Sequence, residues 1–146
     1  MDIDISQAQF PGLLRRLAAL FYDGVLLFGI LSLATGLAIA VYTPLVGGDF
    51  PGRSWWFRAW LALVIGAFFA YFWTHGGQTL GMRAWRLRLV RADGGEPHLR
   101  DALMRLAFAV VALAPVGLGL WWMLIDSEGL AWHDRWSRTR LVLVKR

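Results

Sequence analysis

The chain contains no cysteine, and this absence excludes several kinds of chemistry. Disulfide bonds, thiolate zinc sites, iron–sulfur clusters and thiol nucleophiles all require that side chain. Histidine is scarce as well, since there are three in 146 residues, and no two of them have the spacing of paired metal ligands. We therefore expect neither a metal site nor a cofactor.

Charged residues are also few, at 17% of the chain, whereas ordinary soluble domains contain about a quarter. Hydrophobic residues make up 58%, nine residues are tryptophan, and the mean hydropathy is +0.50. A soluble domain of this size cannot bury so much apolar surface. Indole rings, in contrast, collect where a membrane meets water. The composition excludes a soluble globular domain and predicts an integral membrane protein.

Three stretches lack any formal charge: residues 24–48, 59–82 and 106–125. Each is long enough to cross the roughly 30 Å hydrocarbon core of a bilayer as a helix. The first two predict membrane spans at about residues 17–42 and 55–75. The third lies in a helical block, residues 101–126, that Pro115, Gly117 and Gly119 interrupt, and these residues weaken a helix.

The basic residues favour one path for this third block. If it bends back at Pro115, 13 basic residues face one side of the membrane and 2 face the other; if it crosses once, the counts are 8 and 7. Basic residues concentrate on the cytoplasmic side of membrane proteins. We therefore expect a broken, re-entrant helical hairpin and both termini in the cytoplasm. A single kinked third span is the alternative.

Two short segments, residues 84–91 and 138–144, alternate apolar with basic or polar side chains. This alternation predicts two strands, which need each other to satisfy their backbone groups at the membrane surface. The expected fold is an all-α integral membrane protein in a single domain, residues 1–146. It has two transmembrane helices, the broken hairpin and a short surface β pair. The basic face would contact anionic lipid headgroups rather than nucleic acid.

Small residues recur at every fourth position in both predicted spans, and such stripes allow helix backbones to approach closely. They are Ser32, Gly36 and Ala40, and Ala62, Gly66 and Ala70. We expect the two stripes to face each other, with homodimerisation through one of them as the alternative. No longer internal repeat is evident. Because two or three crossings cannot enclose a pathway, a transporter of this size would be a homo-oligomer.

Asp23 is the first candidate for a functional residue. A carboxylate inside an apolar helix costs several kcal/mol unless it is paired, protonated or hydrated. Arg16 lies on the same helical stripe but leans toward the helix N-terminus, away from Asp23. Arg83 or Arg105 is therefore the expected ion-pair partner. Asp23 is either a proton or cation site or one half of a structural ion pair that holds the first helix to the basic loop.

His133 and Asp134 form a second candidate site. An imidazole beside a carboxylate can serve as a proton relay. The alternative is that the pair caps a turn at the membrane interface. No serine has the sequence context of a catalytic nucleophile, so we expect no enzymatic activity and no catalytic residue.

Several motifs together resemble the RDD family of small bacterial membrane proteins, which is named for an arginine and two aspartates. The motifs are RRLAALFYD (residues 15–23), GQTLGMR (77–83), LRLV (87–90), PVGLG (115–119), WHDR (132–135) and TRLV (139–142). The resemblance implies that the arginine is Arg16, with Arg15 as an adjacent candidate. It implies that the aspartates are Asp23 and Asp134, with Asp126 matching the second less well.

The resemblance implies a location in the bacterial cytoplasmic membrane. It implies less about activity, because the family is described as of unknown function with a suggested role in transporting unidentified ligands. Transport of an ion or small solute is the first hypothesis, with Asp23 titrating, Arg16 tuning it, and Asp134 with His133 as an entry relay. The second hypothesis is a membrane scaffold whose basic face binds a protein partner or anionic lipid.

Overall fold

Two long helices dominate the computed structural model, which describes residues 8–48, 50–113 and 117–144. Helix α1 spans Leu13–Val46 and helix α2 spans Trp55–Thr74. Their most apolar 18-residue windows have mean hydropathies of 2.3 and 1.4, so both are long and apolar enough to cross a membrane. The first helix is longer than the predicted span of residues 17–42. It begins at Leu13 and continues through Pro44 to Val46.

Shorter elements follow the second helix. They are α3 (Leu80–Ala84), β1 (Leu87–Arg91), α4 (Leu99–Leu113), α5 (Leu118–Trp121), a turn of 3-10 helix (Trp122–Leu124), α6 (Trp132–Trp136) and β2 (Thr139–Leu143).

The third apolar block is broken, as predicted, although Pro115 itself lies outside the described residues. Helix α4 ends at Leu113, and only short helical turns follow it. The chain then returns alongside α4, where the rings of Phe108 and Trp136 lie 5.3 Å apart between centroids. Within the described ranges, the segment that follows residue 117 thus packs back against α4, an arrangement that is compatible with a helical hairpin.

The two predicted strands pair with each other. β1 and β2 are antiparallel, with Leu87 opposite Leu143, Leu89 opposite Leu141 and Arg91 opposite Thr139. They are shorter than predicted, because residues 84–86 end α3 and turn the chain into β1. This pairing brings the start of α4 and the end of α6 to the same side of the molecule.

The core lies at the end of the helices that carries the sheet. Leu87, Leu89 and Ala102 are fully buried there and pack with Trp73 and Met82. Helix α1 buries only Arg16, Ala19 and Asp23, all in its first third. None of its most apolar window is buried. Helix α1 thus contributes charged groups to the interior and apolar groups to the outside, as expected where lipid is the solvent.

Close backbone approach occurs at different glycines from those predicted. A Cβ added to Gly36 or Gly66 would meet nothing within 4 Å, so the prediction that their small-residue stripes pack face to face is wrong. A Cβ added to Gly81 would overlap the carbonyl oxygen of Ala19. The closest backbone contact of α1 is therefore with the start of α3, because the first third of α1 packs at the end of the molecule that carries the sheet.

The structure contains an internal repeat that the sequence analysis missed. In each copy a five-residue helix is followed by a two-residue linker and a five-residue strand, and the copies are residues 80–91 and 132–143. Five of the twelve aligned positions are identical. The second linker residues, Arg86 and Arg138, have φ of 57° and 52° and are the only non-glycine residues with positive φ in the described chain.

The two copies are related by a pseudo-twofold axis. The amide of Ala92 donates to the carbonyl of Arg138 at 2.9 Å, and the equivalent amide of Val144 donates to Arg86 at 2.9 Å. The same twofold rotation exchanges Leu89 with Leu141, which pair at the centre of the sheet. The expectation that no repeat longer than the small-residue stripes exists is therefore wrong.

Candidate functional site

Asp134 is the centre of a buried charge cluster. It lies in the first turn of α6 and is 1% exposed. Arg16 of α1 donates a hydrogen bond to its Oδ2 atom, and Arg105 of α4 places Nη1 2.7 Å from Oδ1. Nη1 of Arg105 also donates to Thr139 Oγ1 at 2.7 Å. One carboxylate thus holds three helices together.

The electrostatic balance at Asp134 keeps it ionised. Burial by itself would raise the pKa of this carboxyl, but the guanidinium groups of Arg105 and Arg16 outweigh burial and hold the pKa well below its usual range. With two guanidinium groups and one carboxylate, the cluster carries one net positive charge.

Asp23 is held by neutral donors. It is 3% exposed, and its Oδ2 accepts from the Thr79 hydroxyl at 2.5 Å while its Oδ1 accepts from the Gly81 amide at 2.9 Å. Thr79 is the N-cap of α3 and also accepts from the Met82 amide at 3.2 Å. In the described chain, Asp23 forms no ion pair.

The predicted arginine partners of Asp23 are therefore wrong. Arg83 is exposed on the outer face of α3, and Arg105 pairs with Asp134 instead. The physical reason is that α1 meets α3 at its N-terminus, where free backbone amides and the capping hydroxyl satisfy a carboxylate. Arg15, the adjacent candidate, is exposed.

The two buried charged residues of α1 each bind one copy of the repeat. Asp23 accepts from Gly81 in the first copy and from Thr79 just before it, whereas Arg16 binds Asp134 in the second copy and Gly129 just before that copy. Their spacing of seven residues is close to two helical turns, which places both on one face.

His133 adjoins the cluster. Its Nε2 lies 3.6 Å from Asp134 Oδ1, and its buried Nδ1 has no hydrogen-bond partner among the described residues. Burial, followed by repulsion from Arg105, lowers its pKa to about 4. The imidazole is therefore neutral at physiological pH. It lies beside the carboxylate, as the relay hypothesis requires, but whether it moves protons stays a prediction.

Asp126, the weaker match for the second aspartate of the motif, has another role. Its Oδ1 accepts from Arg135 at 2.7 Å, and its Oδ2 accepts from the Leu130 amide at 2.9 Å. These contacts stay within the loop before α6 and between that loop and α6 itself. The carboxylate that binds Arg16 is Asp134.

A cavity of about 110 Å³ lies between α1, α2, α4, α6 and the sheet. Its polar wall consists of Arg16, Asp23, Trp73, Arg105 and His133. The Arg105 guanidinium lies over the Trp73 ring, 5.5 Å from the centroid, and the buried Trp73 Nε1 has no hydrogen-bond partner in the part of the chain described. No cluster of three or more metal-ligating side chains occurs among the described residues.

Sequence reasoning missed two residues of this site. Thr79 had a local signal, because a threonine before a short helix is a typical N-cap, but nothing in the sequence connected it with Asp23. Trp73 is one of nine tryptophans, and most of these fit equally well as interfacial anchors. Its position in the cavity wall follows only from the tertiary fold.

Comparison with models of protein families identifies a match. Residues 10–138 match the model of the RDD family. This range contains Arg16, Asp23, Asp134 and every polar residue of the cavity wall. No curated protein and no solved structure matches the chain.

Proposed function

This chain belongs to the RDD family, and from that premise we propose that it transports a small ion or solute across the bacterial cytoplasmic membrane. The family is membrane-associated, and α1 and α2 are long and apolar enough to span a bilayer. In this proposal the chain crosses the membrane more than once, both termini lie in the cytoplasm, and the protein has neither enzymatic activity nor a bound cofactor.

The observation that carries this proposal is the position of Asp23 in the cavity wall. This carboxylate is buried in the first third of an apolar helix and is held by a hydroxyl and an amide rather than by a cation. A buried carboxylate without a counter-charge can gain and lose a proton at modest cost. Asp23 is therefore the proposed titrating group.

The internal repeat also supports transport. The cavity wall includes Met82 and Leu87 of the first copy and His133 and Leu141 of the second. Secondary transporters commonly bind their substrates between structural repeats. Two spanning helices cannot enclose a pathway, so the proposed transporter is a homo-oligomer.

Substitution of Asp23 by asparagine tests the proposal. The asparagine side chain would keep an Oδ1 acceptor for the Gly81 amide, so Asp23→Asn should assemble normally. Wild-type protein in liposomes that contain a pH-sensitive dye should move protons when a gradient of sodium, potassium, chloride or formate is imposed. We expect Asp23→Asn to lose this proton movement.

Asp126→Asn is the matched control, because Asp126 lies outside the cavity. It should retain wild-type proton movement. Full activity of a well-folded Asp23→Asn protein would show that Asp23 is not the titrating group, and wild-type liposomes indistinguishable from protein-free ones would refute transport of these ions.

A membrane scaffold is the second candidate, and the Asp134 cluster favours it. The cluster joins α1, α4 and α6 through ionic contacts, as a purely structural element would. The exposed arginines of the linkers, Arg86 and Arg138, would then bind anionic lipid headgroups or a protein partner. In this case the wild type should show no proton movement, and Asp23→Asn should assemble and behave like the wild type.

A further inference from the structure

The cavity offers more hydrogen-bond donors than its wall can satisfy. Within the described residues Arg105 donates hydrogen bonds only through Nη1, which leaves Nε and Nη2. Trp73, which is 8% exposed, has a donor at Nε1 and no acceptor for it. Buried donors without acceptors are unfavourable, so an acceptor-rich molecule would be stabilised here.

The charge of the wall depends on Asp23. Arg16 and Arg105 together exceed Asp134, which lies behind the wall, by one positive charge, and Asp23 is the one carboxylate among the described residues that line the cavity. With Asp23 ionised, the four charges balance. With Asp23 protonated, one positive charge has no counterpart inside a region of low dielectric constant. His133 is the remaining titratable group that faces the cavity.

The size of the cavity limits the occupant. Its volume of about 110 Å³ is less than the roughly 150 Å³ of an apolar cavity that accepts benzene. We infer that the cavity binds a small monovalent anion of the size of formate or nitrate, and that a proton on Asp23 accompanies the anion. This inference rests on the proposed transport function and deepens it by naming the substrate class.

The geometry assigns a role to each wall residue. Arg105 supplies two parallel N–H donors, which match the two oxygens of a carboxylate. Trp73 supplies a third donor and is already in contact with the Arg105 guanidinium. Asp23 lies across the same cavity and must be neutral when the anion is present, since two buried negative charges would repel each other.

Binding of [14C]formate to the full-length protein in nanodiscs, measured by equilibrium dialysis, tests the inference. We expect one saturable site per chain. Because one proton binds with each anion, formate affinity should rise about tenfold for each unit of pH decrease while Asp23 titrates. Nitrate should compete with formate, whereas gluconate at equal ionic strength should be too large to compete.

Trp73→Phe is the decisive variant, because it removes one donor and keeps an aromatic ring. We expect it to weaken formate binding about tenfold, as loss of a hydrogen bond to a charged group does. Trp55→Phe, at a tryptophan that is 81% exposed, is the matched control and should bind like the wild type. Arg105→Lys should abolish formate binding if this variant folds. If it does not fold, Trp73→Phe still tests the anion site.

The outcomes separate this inference from the transport proposal. Absence of saturable formate binding, formate affinity that does not change with pH, or wild-type affinity in Trp73→Phe would overturn the anion site. Formate binding without proton movement in liposomes would leave the anion site in place and refute transport. Proton movement driven by a cation gradient, without formate binding, would support transport and refute the anion site.

Discussion

The two copies of the repeat have the same backbone and different carboxylates. The carboxylate at the first copy belongs to Asp23 of α1, which is not part of that copy, and it accepts hydrogen bonds from a hydroxyl and an amide. The second copy has its own, Asp134, which two guanidinium groups contact. The first copy has Met82 at the position of Asp134. The same backbone arrangement thus meets one carboxylate that is held by neutral donors and one that is held by two cations.

A second difference explains how α1 reaches only one copy closely. The first copy has Gly81 where the second has His133. The missing side chain allows the Ala19 carbonyl and the Asp23 carboxylate to contact the start of α3. At the second copy, His133 occupies this space, and α1 reaches it with the long side chain of Arg16.

The largest effect should come from Asp134→Asn. This change removes the negative charge between Arg16 and Arg105 and leaves two buried guanidinium groups facing each other. Loss of one partner from a buried ion pair typically costs about 3–5 kcal/mol, so the folded protein should be nearly lost. Size-exclusion chromatography and thermal unfolding in one detergent would measure the effect.

Asp126→Asn provides the control for this prediction. Asp126 is bonded to Arg135 and to loop amides near the surface, and loss of such solvent-screened contacts should cost far less stability than loss of Asp134. If Asp134→Asn were no less stable than Asp126→Asn, the Asp134 cluster would not be what joins the helices.

A smaller effect should follow from Gly81→Ala, which makes the first copy more like the second. The added Cβ would overlap the Ala19 carbonyl oxygen and lie 2.8 Å from Asp23 Oδ1. Because the first of these is backbone, α1 must shift, and overpacking of this kind costs about 1–3 kcal/mol. The midpoint of thermal unfolding should fall accordingly.

Gly66→Ala is the matched control in α2, since a Cβ there meets nothing within 4 Å. Alanine is the better helix former, so this variant should be neutral or more stable by up to about 1 kcal/mol. Equal unfolding midpoints for the two variants would mean that α1 and α3 do not meet closely at Gly81.

Local signals in the sequence predicted much of this architecture. The two long helices follow from uncharged stretches that lipid alone can accommodate, and the strands from alternating side chains. Asp23 stands out because charge in apolar surroundings is costly, Asp134 because a histidine precedes it, and Arg16 because it lies in the RDD-like motif RRLAALFYD. Each of these signals lies within a few consecutive residues, which is why they could be interpreted without the fold.

Contacts between distant segments could not be predicted in this way. Asp23 binds Thr79 and Gly81, which lie 56 and 58 positions further along the chain. One of these bonds uses a backbone amide, which any residue could supply. The repeat was missed because its copies differ at Met82 and Asp134, and at Gly81 and His133, the positions that determine how each copy binds α1.

The last effect depends on a single side chain, His133, and appears only below about pH 6.5. Its folded-state pKa of about 4 lies below the ordinary value of 6.5, so between these values the unfolded chain binds a proton that the folded chain does not. Stability should therefore increase with pH from about 4 to 6.5, by at most about 1.4 kcal/mol per pH unit, and this contribution should be constant above that range. His133→Gln removes the group and should flatten the slope. Equal slopes for His133→Gln and wild type, measured by thermal unfolding across this range, would mean that His133 is not buried in its neutral form beside the second copy's carboxylate.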